Sequence, residues 1–392
     1  MTKNKRILIL TGVFLKGVGG PPTLLKALNI ELIGRGYQIK VLTFGKKSEV
    51  EKYPYLVKVV CDKWPSPVKS FLFLIKGLLM GLSSDIIYNQ DLYTPGFTGL
   101  IIKKILRKKL VTRFVGDSAW ETALNQGETT DDILTFQEKE YSSFIEKRKR
   151  TRKKILLNSD KVIVVSYFLK NLAQKIGVPE EKIKVIYNSI DFLEDKAVLF
   201  SKGELKKALN LQGKVILTNA RLTVWKGIDM LIELIPQLIE KYGQIQFIIV
   251  SEGPERANLE KLTQGLELGN NVSFVGIVNR QRVIDYLKIA DVFVLNTNYE
   301  GMSHVLLEAM KVGTPIITTK AGGNPETIKD KETGLLVDYR NKKQWLEAIN
   351  LILDNPNLAE KLVNQAKKDL KRFNWDDLVG KTINVFKSID NN

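Results

Sequence analysis

Two glutamates eight positions apart, Glu300 and Glu308, lie in the stretch Tyr299-Glu300-Gly301-Met302-Ser303-His304-Val305-Leu306-Leu307-Glu308-Ala309-Met310. An apolar run, Asp291-Val292-Phe293-Val294-Leu295, precedes it and reads as a buried parallel strand. Val312-Gly313-Thr314-Pro315-Ile316-Ile317 follows as a helix stop and a further strand. The segment is therefore a strand-loop-helix corner. Glu300 sits at its tip, Gly301 lets the backbone turn or approach a ligand closely, and Ser303 is in place to cap the helix. A helix N-terminus with unpaired N–H groups favours a phosphate. Carboxylates suit the hydroxyls of a sugar instead, because they only accept hydrogen bonds. Hydroxyls on the glutamates and phosphates on the helix end describe a nucleotide-sugar site.

A second cluster stands earlier. The strand Lys214-Val215-Ile216-Leu217-Thr218 is followed by Asn219-Ala220-Arg221-Leu222-Thr223-Val224-Trp225-Lys226-Gly227. Arg221 and Lys226 thus lie past the carboxyl end of one strand, and Glu300 and Glu308 past that of another. In open α/β sheets ligands gather at that edge. Cations there meet a diphosphate leaving group, and each is worth several kcal/mol on developing charge in a dry site.

The elements that must hold these residues follow an α/β rhythm. Arg6–Leu10 is a strand, Gly12–Gly20 a glycine-rich loop, residues 21–33 a helix that Gly34-Arg35-Gly36 stops, and 37–43 the next strand. This βαβ unit implies a parallel sheet. The loop, with Gly17, Gly19 and Gly20, is not a G-x-G-x-x-G fingerprint, so no nicotinamide cofactor is indicated; it is a tight turn or a phosphate contact. Residues 66–82 form an apolar helix with Lys69 and Lys76 on one stripe, either a core helix or an interfacial one whose lysines meet lipid phosphates. Further strands start at Ser84, Leu110, Lys161 and Ile183, with a basic helix at 101–109. Asp117, just past the strand 110–115, is a candidate site residue or the cap of a helix starting there. Residues 121–154 read as one long polar helix. In the second half, strands recur at 214–218, 246–250, 272–275, 292–295, 315–318 and 335–337. The fold class is α/β, two Rossmann-like doubly wound parallel-sheet domains with a linker near 192–212 and a cleft between them.

Bulk properties bound the class. At 392 residues, two domains are expected. One cysteine, Cys61, excludes an intrachain disulfide framework, and with a single histidine, His304, a His/Cys metal centre is excluded as well. No signal-peptide core precedes the first strand, and the longest apolar stretch, 71–82, contains Lys76 and is too short to span a bilayer, so a cytoplasmic protein is expected. The net charge of +17 is uneven: residues 1–192 hold 33 Lys and Arg against 18 Asp and Glu, the remainder 27 against 25. An anionic membrane, nucleic acid or an anionic soluble substrate would each answer a basic N-terminal half, as would plain solvated lysines. The run Lys147-Arg148-Lys149-Arg150-Thr151-Arg152-Lys153-Lys154 is a solvated helix face or a contact with anionic lipid; it lacks the interleaved aromatics of a nucleic-acid surface.

Taken together, Asn219-Ala220-Arg221-Leu222 with Trp225-Lys226-Gly227, Ser251-Glu252-Gly253-Pro254, Phe274-Val275-Gly276, Ala290–Val294, the paired glutamates, Gly313–Ile317 and Gly322-Gly323-Asn324-Pro325-Glu326 resemble the retaining glycosyltransferases of the family-4 type, with GT-B architecture. The first half matches more loosely, through Gly19-Gly20, Asp160–Ser166 and Val185–Asp191. The resemblance implies an acceptor-binding domain over 1–195, with a terminal helix (375–392) crossing back to it, and a donor-binding domain over 196–374. It implies transfer of a sugar from a nucleotide-sugar donor to a lipid-linked or polysaccharide acceptor without a metal; the basic first half places that enzyme peripherally at the inner face of the membrane, with no nucleic acid as partner. Arg221 and Lys226 would hold the diphosphate, Glu308 the ribose, and Glu300 with the N–H groups of Gly301, Met302 and Ser303 the donor sugar and phosphate. Gly276 to Val278 would lie near the base, and Gly19 and Gly20 would close over the phosphates.

Two departures stand out. Val115 occupies the place where family members often carry a first-domain histidine, which leaves that role absent or taken by Asp117. The glutamate motif reads Glu-Gly-Met-Ser-His, where His304 is a helix N-terminal residue near the donor rather than a catalytic base, in a position that favours neutral imidazole. The candidate catalytic residues are thus Glu300, Arg221, Lys226 and Asp117. GT-B epimerases and phosphorylases share the architecture and form the alternative; a nucleic-acid-binding protein would leave the glutamates and their cations without a role.

Overall fold

The computed structural model describes residues 5–15, 20–50, 52–190 and 201–389. The chain divides into two compact units, 1–188 with 375–392 and 189–374, against the expected boundary at 195/196. The expected linker lies partly outside the described residues, at 191–200, and its remainder carries the helix Lys202–Ala208.

Among its described residues unit 1 holds seven strands: β1 (Arg6–Leu10), β2 (Gln38–Gly45), β3 (Leu56–Cys61), β4 (Ile86–Asn89), β5 (Lys109–Phe114), β6 (Lys161–Val164) and β7 (Ile183–Val185). All pair in parallel in the order β3-β2-β1-β4-β5-β6-β7. The central strands are apolar on both faces because helices cover both: Ile7 to Leu10 are fully buried. The helices are α1 (Gly20–Gly34), α2 (Ser66–Leu82), α3 (Thr94–Leu106), α4 (Ser118–Asn125), α5 (Ser143–Asn158) and α6 (Tyr167–Ile176). The C-terminal helix Trp375–Ser388 belongs to this unit; its Phe386 packs edge-on against Tyr88 of β4, ring centroids 5.2 Å apart, and near Tyr37 at 6.4 Å.

Several expectations change here. β3 is an edge strand whose Leu56 is exposed and whose apolar run Lys58 interrupts, so it carries no buried-strand signature. The basic helix expected at 101–109 begins at Thr94 with Pro95 in its first turn, and Lys109 already belongs to β5. The single helix expected over 121–154 is two. α4 stops at Asn125 before Gly127, which takes φ +71, and α5 restarts at Ser143 behind its cap Ser142, whose side chain accepts a hydrogen bond from the Ile145 N–H.

The basic run on α5 is only partly a solvated face. Lys147, Arg150, Lys153 and Lys154 are exposed. Arg148 stacks on Tyr93 at 3.8 Å and donates to its hydroxyl at 2.9 Å. Lys149 pairs with Glu146 at 2.9 Å and donates to the Lys139 carbonyl. Arg152 is buried.

Unit 2 holds β8 (Lys214–Asn219), β9 (Ile245–Val250), β10 (Val272–Gly276), β11 (Val292–Leu295), β12 (Ile316–Thr319) and β13 (Leu335–Val337), parallel in the order β10-β9-β8-β11-β12-β13. Its helices include α7 (Lys202–Ala208), α8 (Ile228–Tyr242), α9 (Arg256–Gly265), α10 (Arg280–Ile289) and α11 (His304–Val312). Phe247, Val294, Leu238 and Trp345 centre its core.

Phe386→Ala removes a fully buried ring that ties the last helix to unit 1, at a cost of about 3–5 kcal/mol. Urea denaturation of the two proteins reads that difference directly.

Candidate active site

The carboxyl ends of the unit 2 strands line up as Gly276, Ser251, Asn219, Asn296 and Lys320 in the sheet order β10, β9, β8, β11 and β12. Chain order reverses between β8 and β11, and a crevice at such a switch is where open α/β sheets bind ligands. Lys226 and Glu300 meet there.

Lys226 Nζ is in ion contact with Glu300 Oε1 and donates to Thr297 Oγ1 at 3.2 Å. Their side chains are 11% and 18% exposed, so the pair is largely withdrawn from water. An ammonium has three N–H donors. Among the described residues two are engaged, which leaves the third for a ligand oxygen. The second carboxylate oxygen of Glu300 has no partner among the described residues.

Backbone contacts hold the two loops together. The Asn298 N–H donates to the Trp225 carbonyl at 2.8 Å. Asn296 Nδ2 donates to the Gly227 carbonyl at 2.8 Å, while its Oδ1 accepts from the Arg340 N–H at 3.2 Å. Gly227 takes φ +49, and a Cβ there would strike the Asn296 amide. On the far side, the Gly323 N–H donates to the Glu300 carbonyl at 2.8 Å. A Cβ on Gly322, at φ +60, would overlap that same carbonyl. Glu300 is therefore fixed from both flanks by places where a side chain does not fit.

Glu308 stands on the second turn of α11. Burial pushes its carboxyl above the usual carboxylate range, and Arg280, 3.5 Å away, pulls the other way. The corner before it is enclosed: Gly301, Met302 and Ser303 are buried. Ser303 occupies the N-cap position, but its side chain accepts no hydrogen bond from the first turn, contrary to the expected cap. Ser303 therefore does not compete with an anion for the N–H groups of this turn.

The other candidates fall differently. Arg221 is exposed on the β8 loop, with no side-chain partner among the described residues. Its neighbour Leu222 is pinned by the Glu252 carbonyl and the Glu255 N–H, at 3.1 and 3.0 Å, against Gly253. Gly276, at φ +70, ends β10 and the half-buried Val278 follows it, beside Ser251, whose N–H donates to the Gly276 carbonyl at 2.8 Å. His304 is the first residue of α11. Gly20 opens α1 in unit 1, and Gly19 lies outside the described residues.

Asp117 requires a correction. It is fully buried as the cap of α4, with Oδ1 accepting from the Ala119 N–H at 3.0 Å. Oδ2 accepts from Gln137 Nε2 at 3.0 Å and faces the buried Arg152 guanidinium in an ion pair. A carboxylate so enclosed serves the fold of unit 1 and is not offered to a substrate.

The sequence reading missed Thr297, Asn296 and Arg280. Thr297 follows β11 directly, and a hydroxyl three residues before a site glutamate was a usable signal. Arg280 pairs with Glu308 only through the tertiary fold. Gly322→Ala is expected to displace the Glu300 backbone and lower activity by about tenfold or more, with the protein still folded by circular dichroism.

Comparison with known proteins agrees with this geometry. The model for glycosyl transferases group 1 matches residues 201–369, and that for glycosyltransferase family 4 matches residues 18–192. An uncharacterized glycosyltransferase of Methanocaldococcus jannaschii is 30% identical over 389 residues, 94% of each chain. A phosphatidylinositol N-acetylglucosaminyltransferase chain of Arabidopsis thaliana is 24% identical, covering 97% of this chain and 81% of that one. The crystal structure of Anabaena HepE in complex with UDP-glucose shares the fold with a TM-score of 0.79 at 20% identity, over 99% of this chain and all of that one. With two parallel-sheet units and both family models matched in order, the chain belongs to the family-4 type of glycosyltransferases with the GT-B fold.

Proposed function

We propose that the chain moves a hexosyl unit from a nucleotide sugar to a hydroxyl of a lipid-linked or polysaccharide acceptor, with retention at the anomeric carbon. The observation that carries this reading is the contact of Lys226 with Glu300 at the switch between β8 and β11. It places one cation and one hydrogen-bond acceptor within a side chain's reach of each other, as a sugar joined to a diphosphate needs.

In this reading the spare N–H of Lys226 and the exposed Arg221 take the diphosphate. The N-terminal end of α11 takes a phosphate oxygen. The free oxygen of Glu300 accepts from a hydroxyl of the donor sugar, Glu308 accepts from the ribose, and Gly276 to Val278 border the base. As the bond from the anomeric carbon to the phosphate oxygen breaks, the acceptor oxygen bonds to the same face. Its proton passes to a phosphate oxygen of the leaving group. Lys226, Arg221 and the helix end stabilise the charge that develops there, the role a metal ion plays in other enzymes. Among the described residues no group of three or more His, Cys, Asp and Glu is placed to hold a metal.

A lipid-linked acceptor suits the basic first half of the chain, and one relative is named for action on phosphatidylinositol. Among the described residues no helix is long and apolar enough to cross a membrane. The enzyme would then work peripherally, on the cytoplasmic face.

Glu300→Ala is expected to lower transfer by about a hundredfold or more while leaving the thermal midpoint within a few degrees of the parent. Donor turnover in the presence of acceptor measures it, after a thermal-shift screen of nucleotide sugars has found the donor. Near-normal turnover in that variant sinks the assignment.

A further inference from the structure

α2 has two apolar faces. Phe73, Gly77, Met80 and Gly81 are buried; Phe73 and Met80 pack into the core with Leu42, Val60 and Ile87. The opposite face carries Val68, Phe71, Ile75, Leu79 and Leu82, all exposed, with Phe71 at 62% and Leu79 at 63%. At 3.6 residues per turn these five fall within an arc of about 80°. They form one continuous stripe, and Trp64 extends it just before the helix.

The stripe continues onto α3. Gly77 and Gly81 of α2 lie against Thr98 and Ile102 of α3, so the two helices pack side by side. α3 adds exposed Phe97 and Ile105. Scattered exposed apolar residues are ordinary, but a contiguous patch on two adjoining helices marks a surface that something covers.

Charge selects the occupant. Between Lys63 and Ser84, and again between Leu92 and Gly116, the sequence holds no aspartate or glutamate. Lys63, Lys104 and Arg107 are exposed at the ends of the two helices. The two lysines of α2 expected to meet lipid are used otherwise: Lys76 Nζ donates to the Val59 carbonyl at 2.8 Å, and Lys69 lies 5.9 Å over the Phe44 ring. An apolar stripe framed by cations and free of acidic residues fits the headgroup and acyl boundary of an anionic bilayer.

We propose that the outer face of α2 and α3 is the surface by which this protein docks on an anionic lipid bilayer, with Phe71 and Leu79 entering the acyl boundary and Lys63, Lys104 and Arg107 at the phosphates. The proposal deepens the reading above, in which the acceptor is lipid-linked, by naming where the membrane lies against unit 1. The solvated face of α5 has no such stripe; its exposed side chains are mostly cations, with Phe144 alone among the large apolar ones.

The test is co-sedimentation of the full chain with phosphatidylcholine vesicles containing about one-third phosphatidylglycerol, and with pure phosphatidylcholine vesicles. No nucleotide sugar is present, so the result is independent of the donor-site assignment. The parent protein is expected to pellet with the anionic vesicles and to remain partly bound when salt screens the charges. The double variant Phe71→Ser, Leu79→Ser is expected to lose about tenfold or more in partition, with its thermal midpoint nearly unchanged because both side chains are exposed. Quenching of Trp64 by brominated acyl chains gives a second reading, lost in Trp64→Phe. Equal partition of parent and double variant overturns the proposal, as does a parent that stays in the supernatant or binds both vesicle types alike. A parent dimer that the double variant converts to monomer, without vesicle binding, overturns it in favour of a second copy of this chain.

Discussion

The ion pair between Lys226 and Glu300 is the contact on which the architecture of unit 2 converges. A pair so nearly buried must repay the loss of hydration of both charges, so its net contribution to stability is modest. Its worth lies in placement. It joins the loop after β8 to the loop after β11 at the one point where chain order in the sheet reverses. Thr297, Asn296 and the backbone of Asn298 bind the same two loops, and Gly227 and Gly322 permit an approach no other residue would allow without displacement. The result is a tightly held corner in which, among the described residues, one ammonium hydrogen and one carboxylate oxygen have no partner.

Unit 1 uses its charges differently. Part of the positive charge of the first half of the chain is used within the fold. Arg152 is the counter-ion of Asp117, Arg148 lies on Tyr93, and Lys76 caps a strand carbonyl. Net charge alone therefore overstates the basic surface. What distinguishes this unit outwardly is the apolar face of two helices that carry no acid, a feature of side-chain exposure rather than of composition.

Much of this was legible before the structure. Buried parallel strands announce themselves as short apolar runs, and the corner from Tyr299 to Met310 contains a strand end, a glycine and a helix start in order. What escaped was whatever depends on tertiary neighbours. β3 carries a lysine and an exposed leucine because it is an edge, so it lacks the pattern of its partners. Asp117 stood at a strand end where ligands gather, and only the position of Arg152, 35 residues later, turns it into a buried cap. Ser303 sits where a capping serine belongs, with the extended backbone of such a residue, yet its hydroxyl accepts no hydrogen bond from the helix. The role of Arg280 beside Glu308 likewise comes from two helices packing, which no spacing in the sequence records.

The claim at the centre of this account is that the corner around Lys226 and Glu300 binds the diphosphate of a nucleotide sugar. Calorimetric titration of the full chain with a panel of nucleoside diphosphates and their sugars tests it most directly. One nucleotide is predicted to bind in the micromolar range, and Lys226→Ala is predicted to weaken it by about tenfold or more, a loss of at least about 1.4 kcal/mol. Absence of binding by every nucleotide of the panel, or equal affinity in the Lys226→Ala protein, would contradict it.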